Sequence, residues 1–172
     1  MLGDYVKYQG NGSIIQEPLH SPDVARIDGV EKPFNEDRAY LFLLTKQQYI
    51  WSSFQNIRPI FTTDQWLKRI GFEEVKRDGY IKYTFANINV SESIINVLDK
   101  NQTISTGFCI ADFTKGINNI QQFSTKDGFD LENFFKTYQS VQNLNDLFTY
   151  LRQHNIAVNP ERILIEGNKA FI

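Results

Sequence analysis

The segment PIFTTDQWLKRIGFE, residues 59–73, constrains the fold most strongly, because it carries the start and stop signals of a short helix. We predict Thr62 as the N-cap, because Gln65 follows it at the spacing of a capping box. Phe61 and Trp66 have the spacing of a hydrophobic staple, which would fix the direction from which the chain enters the helix. The helix is therefore expected to begin directly after residue 62.

The other signals in this segment agree with that prediction. Asp64 in the first turn, and Lys68 and Arg69 in the last, have the charges that the helix dipole favours. Gly71 is the residue type that commonly ends a helix in the left-handed conformation. Pro59 cannot donate a hydrogen bond within a central strand ladder, which favours an extended edge segment before the helix. The expected order is strand, short helix and sharp stop.

Apolar patterns elsewhere predict several strands and one further clear helix. Apolar residues recur at helical spacing over residues 143–155, behind Asn143 as a cap. The turn signal Asn11-Gly12 predicts a β-hairpin over residues 4–17. Residues 91–101 and 132–141 fit either a helix or a strand. The other predicted strands are 38–45, 49–60, 80–85, 102–113 and 161–172, the last as a strand or a hairpin over Gly167-Asn168.

The chain as a whole is predicted to be one domain. Residues 18–37 are polar, with several prolines and charges, which predicts a long Pro-rich surface loop. A length of 172 residues, without repeats or low-complexity linkers, predicts a single domain over residues 1–172. These elements together predict an α+β fold with about two principal helices and a mainly antiparallel β-sheet, open or closed into a barrel.

Composition excludes several classes of protein. The chain has 18 basic and 20 acidic residues, which is not the footprint of a polyanion-binding protein. A hydrophobic content of 41% supports a packed core rather than global disorder. With Cys109 as the single cysteine, neither an internal disulfide nor a cysteine-based zinc cluster can form. The start lacks a signal-peptide core, and no apolar run reaches roughly 20 residues. We therefore expect a cytoplasmic or virion location and no membrane partner.

Residues that commonly carry chemistry are few and scattered. His154 is interpreted as a cation near a helix C-terminus, and Cys109 as a buried thiol rather than a nucleophile. The segment GNGSII, residues 10–15, lacks the third glycine and the following helix of a dinucleotide-binding loop. We predict no catalytic residue, no metal ligand and no cofactor. One enzymatic alternative stays open, a dispersed carboxylate site built from Asp23, Asp28, Glu36 and Asp37.

Aromatic residues give the main indication of a partner. The segments YIWSSF (49–54) and FDLENFF (129–135) carry more apolar bulk than a small core needs, and aromatic residues are enriched at protein interfaces. We expect a protein partner or a homo-oligomer. The predicted interface residues are Trp51, Phe54, Phe134 and Phe135.

Basic residues next to aromatic ones form an alternative binding surface. Such a combination can bind single-stranded nucleic acid. Glu73, Glu74 and Asp78 interrupt the basic run and weaken its field, so nucleic acid is not the partner that we expect. The residues of this predicted patch are Lys68, Arg69, Lys76, Arg77 and Lys82.

Three segments together resemble an uncharacterised family of small proteins from gut bacteria and their phages. GDYVKY (3–8) matches the G-x-Y-V-x-Y strand with which those proteins often begin, and residues 59–73 match their P-I-x-L-T-x-x-W-L-x-x-x-G-F-x segment. VQNLNDLFTYL (141–151) is similar to V-H-x-L-Q-N-L-Y-x-x-L near their C-termini. The chain departs from the family at Phe61, where the family has Leu, and at Gln142, where it has His. The resemblance implies a shared topology and a mobile-element context, and no activity.

These observations favour a non-enzymatic structural or assembly protein of a phage or mobile element, acting through protein–protein contacts. A small regulator or inhibitor of host machinery, with nucleic-acid binding as one route, is the alternative. An enzyme with a dispersed carboxylate site is the third interpretation. No motif identifies the partner, the oligomeric state or a function for the loop at 18–37.

Overall fold

The computed structural model describes residues 1–9, 23–32, 37–97, 102–113 and 123–171. Within these ranges the chain has an α+β fold of antiparallel sheets and four helices, so the predicted fold class is confirmed, with two helices more than expected. The chain divides into two compact units, Met1–Phe61 with Ala157–Ile172, and Thr62–Ile156. The single domain over residues 1–172 stays a prediction.

The first unit is built on one antiparallel sheet of five strands. The strands are β1 (Tyr5–Tyr8), β2 (Asp23–Glu31), β3 (Arg38–Leu43), β4 (Gln48–Ser53) and β5 (Ile57–Pro59). Their order is β4-β3-β2-β1-β5, so Pro59 lies on an edge strand, as its missing N–H predicts. A 3₁₀ turn over Phe54–Asn56 separates β4 from β5. The turn and the return strand of the hairpin predicted over residues 4–17 lie outside the described residues.

Alternation along the strands gives this sheet one apolar face. Ala39, Leu41 and Leu43 on β3 are buried together with Ala25 and Ile27 on β2. Because successive side chains of a strand point to opposite faces, the residues between them lie on the other side of the sheet. Tyr40 and Phe42 on that other side are only partly buried, so the strand predicted over residues 38–45 packs inward with every second residue of β3.

The surface loop predicted for residues 18–37 is wrong over residues 23 to 31, which form β2. β2 is a central strand that pairs with both β1 and β3. Its charged residues conceal the alternation of the buried Ala25 and Ile27. A bulge between Ile27 and Gly29 also breaks the two-residue period by which strands are recognised.

The C-terminal segment, predicted as a strand or hairpin, forms a helix instead, α4 (Pro160–Phe171). Pro160 suits the first turn, where its missing N–H would have no helical partner in any case. The side-chain oxygen of Asn159 accepts from the Arg162 N–H at 3.1 Å, as an N-cap does. Gly167-Asn168, interpreted as a turn signal, lies within the helix. α4 belongs to the first unit, where it contacts β2.

The second unit combines a four-stranded antiparallel meander with three helices and a short ribbon. The meander is β6 (Glu73–Arg77), β7 (Tyr80–Phe85), β8 (Ile88–Val97) and β9 (Gln102–Ile110), and the ribbon is β10 (Ser124–Thr125) with β11 (Gly128–Phe129). The helices are α1 (Asp64–Ile70), α2 (Leu131–Thr137) and α3 (Leu144–Gln153). Among the described residues neither sheet closes into a barrel. None of the helices there combines the length and apolar character needed to cross a membrane.

α1 begins one residue later than the sequence predicts, because Thr63 and not Thr62 is its N-cap. The Thr63 hydroxyl accepts a hydrogen bond from the Trp66 N–H at 3.2 Å. Thr62 is buried, and its hydroxyl donates to the carbonyl oxygen of Val141. The predicted staple is also wrong, since Phe61 is exposed while Trp66 is buried.

The predicted end of α1 is confirmed. Gly71 has a φ of 122°, and its N–H donates to the carbonyl oxygen of Lys68 at 3.2 Å. The N–H of Phe72 donates to the carbonyl oxygen of Leu67 at 2.9 Å, which completes a Schellman motif. The predicted cap of α3 is confirmed as well, since the Asn143 side chain accepts from a first-turn N–H at 2.9 Å.

Candidate protein-interaction surface

The side of the first sheet opposite its buried face carries four aromatic side chains on two neighbouring strands. Tyr40 and Phe42 alternate with buried residues along β3, and Tyr49 and Trp51 alternate with Ile50 and Ser52 along β4. Because β3 and β4 are antiparallel, Tyr40 lies opposite Trp51 and Phe42 lies opposite Tyr49. These four aromatic residues are named the aromatic face.

The rings of the aromatic face contact one another in a continuous row. The ring centroid of Tyr40 lies 4.9 Å from that of Tyr49 and 4.8 Å from that of Trp51. The centroid of Phe42 lies 4.8 Å from that of Tyr49. Cross-strand pairs of this kind contribute about 0.2–1 kcal/mol each to the sheet. Each ring is therefore held in place by its neighbours before any partner binds.

The two rings on the edge strand β4 are accessible. Trp51 exposes 48% of its surface and Tyr49 exposes 50%. Ordering a side chain on binding costs less free energy when neighbouring groups already hold it. Tryptophan and tyrosine are also among the side chains that most often dominate binding energy at protein interfaces. The aromatic face thus offers accessible, pre-ordered contact groups.

Arg26 ends the aromatic row with a network of charged groups. Its guanidinium carbon lies 5.3 Å from the ring centroid of Phe42. The guanidinium donates to both carboxylate oxygens of Asp28, at 2.6 and 2.9 Å, and to Glu161 on α4. The hydrogen bonds from Arg26 hold the pKa of Asp28 below its ordinary value, and the Tyr49 hydroxyl contributes in the same direction. The network therefore connects β2, α4 and the aromatic face.

The four predicted interface residues do not share one surface. Trp51 belongs to the aromatic face, whereas Phe54 lies in the 3₁₀ turn, partly buried against the core of the sheet. Phe134 is wrong as an interface residue, because it is fully buried in the second unit. Phe135 is partly buried against the same cluster. The Phe135 ring also contacts that of Phe134, with the two centroids 5.8 Å apart.

The five residues of the predicted basic patch also lie on different surfaces. Lys82 on β7 is opposite Val75, and Lys76 on β6 is opposite Ile81. Because adjacent residues of a strand point to opposite faces, Lys76 and Lys82 lie on opposite faces of the second sheet. These two lysines of the predicted patch therefore do not share a surface.

Acidic neighbours further reduce the field of these lysines. Lys68 Nζ lies 2.7 Å from a Glu74 carboxylate oxygen, and Lys76 Nζ lies 2.9 Å from the other one. These two lysines hold the pKa of Glu74 below its ordinary value through hydrogen bonds. Lys82 Nζ lies 2.8 Å from Asp112. Paired charges of this kind leave little net attraction for a phosphate backbone.

The carboxylates of the suggested dispersed site are not brought together. Asp28 is paired with Arg26, and a carboxylate oxygen of Asp37 lies 4.0 Å from Nζ of Lys32 on the surface. Asp23 is buried, and alternation places it on the same side of β2 as the apolar core. Glu36 lies outside the described residues. Within the described ranges, no three His, Cys, Asp or Glu side chains form a group that could hold a metal ion.

A groove of about 410 Å³ in the second unit is a further concave feature, and its lining includes Asp112, Tyr150 and His154. Asp112 is paired with Lys82 at 2.8 Å. His154 Nδ1 lies 2.9 Å from the carbonyl oxygen of Tyr150, and its ring stacks on that tyrosine with centroids 4.0 Å apart. Asp112 and His154 therefore already have partners, and the aromatic face remains the better candidate site.

No family model, no curated protein and no solved structure matches the chain. Sequence reasoning missed Tyr40, Phe42 and Tyr49. The signal that could have identified Tyr40 and Phe42 is the alternation of aromatic and aliphatic residues in RAYLFL. This alternation is easily overlooked when the segment is treated only as an apolar run. Which side of the strand packs inward depends on the rest of the sheet, so the sequence of β3 alone does not decide it.

Proposed function

We propose that this chain is a non-enzymatic structural or assembly protein of a phage or related mobile element, acting through protein–protein contacts made by the aromatic face. The context rests on the resemblance of three segments to proteins of gut bacteria and their phages. It corresponds to a location in the host cytoplasm or in a virion. The single observation that carries the proposal is the continuous row of contacting rings, in which Tyr49 and Trp51 are half exposed.

The charges next to the aromatic face favour a protein as the partner. Arg26 is engaged by Asp28 and by Glu161, so its positive charge is locally neutralised. Nucleic-acid binding depends on several unpaired basic groups that displace counterions from the phosphates. Ordered aromatic side chains with a charged, hydrogen-bonded boundary are instead typical of a protein interface with an apolar centre and a polar rim.

A photo-reactive amino acid placed at position 51 tests this proposal in the native cells of the protein. Position 80 is the matched control, because Trp51 exposes 48% of its surface and Tyr80 on β7 exposes 46%. We expect irradiation to link position 51 to a protein in high yield and position 80 in much lower yield. Equal yields from the two positions, or no protein adduct from position 51, would overturn the proposal.

A further inference from the structure

We infer that β4 pairs antiparallel with β4 of a second copy of this chain, joining two five-stranded sheets edge to edge. The inference rests on the proposed function, and it names the chain itself as the partner of the aromatic face. β4 is one edge of its sheet, and no strand among the described residues pairs with its outer side. Unpaired N–H and C=O groups along such an edge form a template for another strand.

Two other sheet edges carry features that oppose strand pairing. β5 is three residues long and contains Arg58 and Pro59. β6 has the sequence EEVKR, in which four of the five residues are charged. Short length, proline and charged side chains are the means by which natural sheets protect their edges. These edges are therefore poor templates for a further strand.

The edge formed by β9 is covered near its end by the chain itself. The Ile110 N–H donates to the carbonyl oxygen of Gln139 at 2.8 Å, and the Val141 N–H donates to that of Phe108 at 2.8 Å. β4 lacks the proline and the charges that protect β5 and β6, since its sequence QYIWSS contains no charge, no proline and no glycine over six residues. An uncharged edge rich in Tyr, Ile and Trp favours pairing with another strand.

The sequence of β4 is complementary to itself when Ile50 lies opposite Ile50 of the second copy. The pairing must bring side chains of the same face together, because they alternate along each strand. In this register Tyr49 lies opposite Trp51 of the second copy, and Trp51 lies opposite its Tyr49. Two new aromatic pairs thus extend the rows of both aromatic faces across the junction. Without charges in β4, no like charges meet.

The two neighbouring registers that also bring side chains of the same face together fit less well. A register centred on Tyr49 places Trp51 opposite Gln47, and one centred on Trp51 places Tyr49 opposite Ser53. Each of these registers pairs one type of aromatic residue with a polar side chain. Only the register centred on Ile50 pairs both aromatic residues of each strand with an aromatic partner. A six-residue strand on each side buries a small area, so the dimer is expected to depend on concentration.

Light scattering after size exclusion, over a range of concentrations, tests the association of the purified full chain. We expect a dimer whose share rises with concentration. Trp51→Lys removes both new aromatic pairs and adds a charge to each edge, so it should raise the dissociation constant roughly tenfold or more. Tyr80→Lys places the same change on β7 and should leave the dissociation constant unchanged. A monomer at every concentration would overturn the inference.

Cysteine cross-linking tests the register. Ile50→Cys places two thiols directly opposite each other, within the Cα separation that a disulfide spans. We expect mild oxidation to give a disulfide-linked dimer from this variant. Ile81→Cys, at an exposed isoleucine on β7, should give none, and the native Cys109 is buried. A dimer that forms without this cross-link, or that survives Trp51→Lys, uses another surface and also overturns the inference.

The two proposals can fail separately. If position 51 cross-links to a different protein in the native cells while the purified chain stays monomeric, the proposed function stands and self-pairing of β4 is wrong. If position 51 yields no protein adduct and the chain is monomeric, both fail. If the adduct has twice the mass of the chain and Ile50→Cys cross-links, both are supported.

Discussion

The hydroxyl of Thr62 donates a hydrogen bond to the carbonyl oxygen of Val141, which lies 79 residues further along the chain. The backbone N–H of Thr62 donates to the neighbouring carbonyl oxygen of Gln142 at 2.8 Å. Because Thr62 is buried, both hydrogen bonds are shielded from water. The residues that lead into α1 and α3 are thus held together, and the position of one helix depends on the other.

Thr62→Val should destabilise the protein, because it keeps the shape of the side chain and removes the donor to Val141. A buried carbonyl oxygen then loses a hydrogen bond, and we expect the free energy of unfolding to fall by about 1–3 kcal/mol. Urea denaturation measures the change. Thr62→Ser keeps the hydroxyl and should lose less. If Thr62→Val is as stable as the parent chain, this hydrogen bond does not contribute.

The end of α1 could be predicted from the sequence, but its first residue could not. Gly71 and the basic residues of the last turn act within a few positions of one another. Thr62 and Thr63 are both suitable N-caps, and the choice between them is made by Val141. A contact across 79 residues lies beyond any local pattern, so the one-residue error follows from tertiary structure.

The errors at β2 and α4 have a related cause. In β2, Arg26 and Asp28 suggest a solvated loop, but Arg26 pairs with both Asp28 and Glu161, while Ala25 and Ile27 are buried. In α4, Gly167 suggests a turn, although the packing of the helix on the sheet outweighs the low helix propensity of glycine. The aromatic face has a similar explanation. The sequence of β3 shows that two kinds of residue alternate, but it does not show which of the two faces packs against the core.

Asp23→Asn should stabilise the protein. Asp23 is 5% exposed, and neither carboxylate oxygen has a hydrogen-bond partner in the described part of the chain. Burying a charged group without a partner is unfavourable, so we expect the amide to raise the free energy of unfolding by about 1–3 kcal/mol at neutral pH. Denaturation in urea again provides the measurement.

Asp37→Asn is the control for this change, because Asp37 is exposed and its nearest lysine nitrogen is 4.0 Å away. A surface substitution of this kind should stay within about 0.5 kcal/mol of the parent chain. If Asp23→Asn instead lowers stability while Asp37→Asn does not, the Asp23 carboxylate makes a favourable interaction that its surroundings do not explain.

Stability should decline in acid partly because of Asp28. Hydrogen bonds from Arg26 are the main reason that the pKa of Asp28 is lower in the folded chain. Such a group adds stability above its unfolded-state pKa of about 3.9, and this contribution is lost as the pH falls through the lower folded-state pKa. We expect Asp28→Asn to make the decline below about pH 4 shallower. Parallel curves for the variant and the parent chain would contradict this role.

α4 allows a comparison of two adjacent residues of similar size. Leu164 is 0% exposed and Ile165 is 40% exposed. Leu164→Ala leaves a cavity and should lower the free energy of unfolding by about 2–5 kcal/mol. Ile165→Ala removes largely accessible atoms and introduces a better helix former, so its effect should stay within about 0.5 kcal/mol. Similar losses from the two variants would contradict the observed orientation of α4.

The same pair of variants tests the prediction of a single domain. The first unit takes its segments from both ends of the chain, and the second unit lies between them in sequence. If residues 1–172 unfold in one cooperative step, Leu164→Ala should speed slow hydrogen exchange in β2 and in α3 alike, because both exchange through global unfolding. Ile165→Ala should speed neither. Faster exchange in β2 with unchanged exchange in α3 would instead mean that the two units unfold independently, and a separate stability would then have to be assigned to each.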